Sequence, residues 1–132
     1  MNKQQFWQLI EQSNKQEEPI EWLTETLAQK EVAEIVDLEY YFQTFQQESY
    51  QSRLWAAAYL LMDGCSDDTF DYFCGWLIIQ GEETFHKVLE SPEYLAAYIT
   101  EENLGEEGYP QNEELLTAGF DACTLKKTGD IK

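Results

Sequence analysis

The sequence predicts an all-α protein, a single domain of about seven or eight helices. Three observations carry that expectation. Apolar residues recur at helical spacing in at least six segments; Asn, Ser, Pro and Gly stand where those segments begin and end; and almost nothing alternates as a strand would. The 132 residues suit one domain over 1–132, and a chain of this size can bury a core without staples. With 43% apolar and 14% aromatic residues it falls outside the compositions that stay disordered.

Each helix has its own justification. Phe6, Leu9 and Ile10 follow Asn2, a good N-cap, and predict a first helix to about Ser13. Pro19 after "KQEE" takes the first position of a second, with Trp22, Leu23 and Leu27 as its apolar face. From Glu31, the set Val32, Ile35, Val36, Leu38, Phe42 and Phe45 keeps the helical period through a third. "QSRLWAAAYLLMDG" is a fourth, whose wide apolar stripe and small alanines predict a central position, with Gly64 as a left-handed stop. "SDDTFDYFCGWLIIQG" is a fifth, closed by Gly81, and "EETFHKVLE" a sixth. Ser91 and Pro92 read as cap and first residue of a short seventh, "PEYLAAYI". Two Gly, a Pro and four Glu predict a loop over 100–111. A last helix follows from about Asn112, with a short flexible tail over 128–132. No repeat of solenoid length lines up.

Charge is the most unusual property. Asp and Glu number 26 against 8 Lys and Arg, a formal net of −18. Between Leu54 and Leu125 the only basic residue is Lys87, against fifteen acids. Nucleic acid and anionic membrane are therefore poor partners, since both require a basic face. Self-repulsion of this size is tolerated for solubility or for attraction to a basic partner. Cys65, Cys74 and Cys123 form an odd, scattered set without a CxxC pair, which reads as reduced thiols in a cytoplasmic protein. The N-terminus has no apolar stretch of signal length, and "LWAAAYLLM" is too short to span a bilayer.

The stretch "GCSDDTFDYFCGWLIIQG" puts Asp67 and Asp68 at the mouth of the most aromatic segment. One explanation is a helix start: Ser66 caps, and the two acids meet the positive end of the helix dipole. The other is a Mg²⁺ or Ca²⁺ site drawing on Asp63, Asp67, Asp68 and Asp71, although the spacing departs from the calcium-loop pattern and further acids would be needed. Among other chemistries, the lone His86 lacks a GxSxG serine, three separated Cys and one His do not make a zinc set, and no phosphate-cradling glycine motif occurs. No catalytic residue, metal or cofactor is assigned. Trp7, Trp22, Trp55 and Trp76, with Phe70, Phe73 and Leu77, read as core; Tyr40, Tyr41, Tyr50 and Tyr59 are the candidates for an exposed interface patch.

The segments "FWQLIE", "LWAAAYLLMDGCSDDTFDYFCGWLIIQGEETF" and "ESPEYLA", with an echo in "NEELLTAGFDA", resemble the bacterial domain-of-unknown-function family 4240. The resemblance implies a small, mostly helical cytoplasmic protein and a motif comprising Trp55, Gly64, Cys65, Ser66, Asp67, Asp68, Phe70, Phe73, Trp76, Leu77, Ile78 and Gly81. Cys74 stands where that family often has Arg, so an acid–arginine contact there cannot form. Two function classes follow. One is an acidic protein-binding module of immunity or antitoxin type, meeting a basic protein surface through Glu101, Glu102, Glu106 and Glu107. The alternative is an enzyme of unknown reaction with an acidic, metal-binding site at Asp67 and Asp68.

Overall fold

The computed structural model describes residues 1–62, 64–99 and 112–128. They form α1 (Lys3–Ser13), α2 (Pro19–Ala28), α3 (Val32–Glu48), α4 (Ser52–Met62), α5 (Asp67–Ile79), α6 (Glu82–Glu90), α7 (Tyr94–Tyr98) and α8 (Ala118–Thr128), the last preceded by a 3-10 turn at Glu114–Thr117. No strand occurs among the described residues, so the fold is all-α, as the periodicity predicts. Contacts gather the chain into two compact units, Met1–Thr44 with Glu114–Lys132, and Phe45–Glu113.

In the first unit, α1 opens with a reciprocal cap. Asn2 Oδ1 accepts from the Gln5 N–H at 2.8 Å, and Gln5 Oε1 accepts from the Asn2 N–H at 2.9 Å. Its apolar face buries Phe6, Trp7, Leu9 and Ile10, with Phe6 and Trp7 edge to face at 5.1 Å. Pro19 starts α2 as expected, and Leu23 and Leu27 are fully buried. The small residues Ala118, Gly119 and Ala122 of α8 are buried in the same unit. A Cβ on Gly119 would stand 2.9 Å from the Glu39 carboxylate of α3, so the glycine permits that approach.

The expected apolar face of α3 needs correction. Ile35, Leu38, Phe42 and Phe45 are buried, whereas Val32 and Val36 are 52% and 59% exposed. At about 100° per residue the buried four lie within an arc of about 80°, and Val36 falls about 100° beyond Ile35, toward exposed Tyr40.

In the second unit, α5 is the buried helix. From Phe73 to Ile79 every residue is buried, and α5 packs against both α4 and α6. The sequence placed α4 centrally, and this too is corrected: α4 buries only Leu54, Ala58 and Met62, one residue per turn. Of its remaining apolar side chains, Tyr59, Leu60 and Leu61 are exposed and Trp55 is half-buried. Gly64 has φ +125° and donates its N–H to the Tyr59 carbonyl at 2.9 Å, which is the expected left-handed stop. Gly81, at φ +107°, turns the chain from α5 into α6.

Phe45 meets Phe85 edge to face at 5.5 Å, and Val88 and Leu95 complete the interior. Ser91 and Pro92 are not the cap and first residue of α7. Ser91 closes α6, and α7 starts at Tyr94 after a tight turn in which the Leu95 N–H reaches the Pro92 carbonyl at 3.1 Å. The last α-helix likewise begins at Ala118, later than Asn112, because Glu114–Thr117 wind as a 3-10 turn. Thr128 belongs to α8, which shortens the expected tail; the expected loop at 100–111 lies outside the described residues. Among the described residues, no helix is long and apolar enough to cross a membrane.

Candidate functional site

The "SDD" stretch forms a helix start. Ser66 Oγ accepts from the Thr69 N–H at 3.2 Å and donates to Thr69 Oγ1 at 3.0 Å. Asp67 and Asp68 occupy the exposed first turn of α5, where their charge faces the unpaired N–H end of the helix. Among the described residues, no group of three or more His, Cys, Asp or Glu comes together as a metal ion would require. Asp63 lies outside those residues. Asp71 is engaged elsewhere: its Oδ1 accepts from the Tyr50 hydroxyl and from Gln46 Nε2, the latter at 3.2 Å.

Trp55 ties α4 to this corner. Its indole Nε1 donates to the Cys65 carbonyl at 2.9 Å, and its ring stacks on Phe70 at 4.7 Å with 6° between planes. Tyr50 stands edge-on to both, 6.0 Å from Trp55 and 5.1 Å from Phe70. The rings continue along α5, Phe70 to Phe73 at 5.8 Å and Phe73 to Trp76 at 5.9 Å, ending edge-on at Tyr98 of α7. Helical spacing of 70, 73 and 76 brings the rings into line, and such offset contacts add to what burial already supplies. The motif residues Trp55, Ser66 and Trp76 are thus accounted for by architecture: a latch between helices, a cap and a ring in the interior. Cys74 beside them is fully buried, and that burial pushes its thiol up to about 12.

Two features were missed by sequence reasoning. The first is the Tyr50–Asp71 pair. Burial, then the hydrogen bond and charge of Asp71, then the charges of Cys74 and Asp67, push the Tyr50 phenol up. The Tyr72 phenol is likewise raised, first by the charge of Glu113, then by burial, and further by Asp68 and Asp71. Acids thus dominate at Tyr72, while at Tyr50 burial outweighs the Asp71 carboxylate beside it.

The second is an open groove of about 510 Å³ along α4, lined by Ser52, Trp55, Ala56, Tyr59 and Leu60. Leu60 is 81% and Tyr59 55% exposed. The signal is in the sequence, since 52, 55, 56, 59 and 60 repeat at i, i+3, i+4, i+7 and i+8, but periodicity does not tell which part of a wide apolar stripe is covered.

Of the other predicted positions, Glu101, Glu102, Glu106 and Glu107 lie outside the described residues. Tyr40, Tyr50 and Tyr59 are exposed, while Tyr41 is half-buried and its ring lies 6.2 Å from that of Phe6. His86 is on the surface of α6, 3.8 Å from Glu82, with its ring edge-on to Phe45 and Phe85. Cys65 and Cys123 are half-buried, and all three cysteines are free.

No curated protein and no solved structure matches the chain. A family model does, across residues 1–124. The match spans the cap at Ser66, the Trp55 latch and the α5 rings together, and the chain belongs to the family described as "Protein of unknown function (DUF4240)".

Proposed function

We propose that the chain is a small acidic helical module that binds a protein with a basic surface, in the manner of an immunity or antitoxin-type protein. The observation that supports it is the charge of −18, together with how little cation is left to offset it in the second unit. From Phe45 to Glu113 the sequence holds two basic residues, Arg53 and Lys87. Arg53 lies 3.0 Å from Glu93, and Lys87 lies 3.2 Å from Glu83. The Tyr72 phenol, raised first by the charge of Glu113, lies in the same negative surroundings. Such a field speeds encounter with a cation-rich surface and repels nucleic acid.

The test is capture of partners from the native host on the immobilised chain, at low and at high salt. A basic protein retained at low salt, released at high salt and weakened by changing Glu101, Glu102, Glu106 and Glu107 to Gln is the expected result. Recovery of no protein partner, alongside turnover of a small molecule by the purified chain, would favour the enzymatic alternative at Asp67 and Asp68.

A further inference from the structure

From the exposed face of α4 we infer a docking groove for a cationic amphipathic helix, one that presents apolar side chains at i, i+3, i+4 and i+7 and Lys or Arg along its flanks. The inference deepens the binding function proposed above and rests on it.

The geometry supplies the apolar half of the recognition. Helix α4 carries two stripes on different sides. Leu54, Ala58 and Met62 are buried within the second unit, and Trp55, Ala56, Tyr59 and Leu60, with Ser52, line the groove. Ala56 presents only a methyl group beside the larger Trp55 and Tyr59, which leaves room for a partner's side chain. Residues 52 to 60 cover about 12 Å of helix, enough to seat two turns of a partner laid alongside. An exposed apolar pair such as Tyr59 and Leu60, continuous with Ala56 and the edge of Trp55, marks a contact surface among the described residues.

Charge selects the occupant. At one end of the groove Trp55 meets Tyr50, which hydrogen-bonds Asp71 and feels the charge of Asp67. The one base on α4, Arg53, is held by Glu93 at 3.0 Å. A partner entering beside Trp55 therefore meets carboxylates, which attract Lys and Arg and repel Asp and Glu. A second copy of this chain is the poorer occupant, because two molecules each carrying −18 repel one another.

Anisotropy of three labelled peptides titrated with the full chain tests this. One is a helix with Leu at the four anchor positions and Lys elsewhere; the second replaces its Lys by Glu; the third is oligolysine of equal length. The chain is used as wild type, Leu60→Gln and Ala56→Gln, substitutions on exposed positions with good helix formers. Circular dichroism and melting confirm that both variants stay folded.

The wild type is expected to bind the Leu/Lys helix at least about tenfold more tightly than either control. Each variant is expected to lose about tenfold toward the Leu/Lys helix while holding oligolysine unchanged. If both variants bind the Leu/Lys helix as well as wild type does, the groove is not the site, although attraction to basic partners survives. Failure of both cationic peptides to bind at low salt defeats the proposed function itself. A wild-type dimer in sedimentation that Leu60→Gln abolishes assigns the groove to a second copy and overturns the inference.

Discussion

At the scale of single residues, the corner around Ser66 makes distinct predictions. Ser66→Ala removes the acceptor for the Thr69 N–H and should cost about 1 kcal/mol of stability by denaturant titration. Asp67→Asn with Asp68→Asn should cost about 1 kcal/mol between them at low salt and less at high salt, because an exposed charge at a helix end is screened. If the pair only starts a helix, millimolar Mg²⁺ or Ca²⁺ leaves the wild-type melting temperature unchanged; a saturable rise absent from the double variant would restore the metal site. Cys74 predicts an alkaline limb. Its thiol is raised from the ordinary 9.0 to about 12, so above pH 9 the unfolded chain loses a proton that the folded chain keeps. Stability is full below pH 9 and falls as the pH rises toward 12, with Tyr50 acting in the same direction. Melting measured across that range should decline, and Cys74→Ala should flatten the decline.

At the scale of elements, starts and stops were more legible in the sequence than faces. Asn2, Pro19, Ser66, Gly64 and Gly81 each sit where their chemistry placed them, because a cap or a positive φ is decided by a few neighbouring atoms. Which side of a helix is buried depends on what arrives from elsewhere in the chain. Val36 on α3 and Leu60 on α4 continue an apolar pattern, yet both side chains are exposed among the described residues. Both the central position expected for α4 and the groove that was overlooked turn on that one ambiguity. At Gly119 on α8 the tertiary contact is one that can yield to local preference. The only group a Cβ would crowd is the end of the flexible Glu39 side chain, which can move aside. Gly119→Ala should therefore raise the thermal midpoint, with a gain of up to about 1 kcal/mol from helix propensity. A loss of stability would mean that the approach of α8 to α3 has no room to give.

At the scale of the whole molecule, charge was legible from composition alone, while the way it combines with an apolar row on α4 required coordinates. Glu101, Glu102, Glu106 and Glu107 lie outside the described residues; Asp71, bonded to the Tyr50 that stands edge-on to Trp55, sets a carboxylate near one end of the α4 row. A module that combines the two should show affinity that is both apolar in origin and sensitive to salt, since the flanking attraction is screened and the seated side chains are not. The most direct measurement is therefore the affinity of the wild-type chain for the Leu/Lys helix across a salt series, beside its Leu/Glu counterpart. Binding of the cationic helix alone, weakening steadily as salt rises, is the predicted result. Equal binding of both helices, or an affinity that salt does not change, would contradict it.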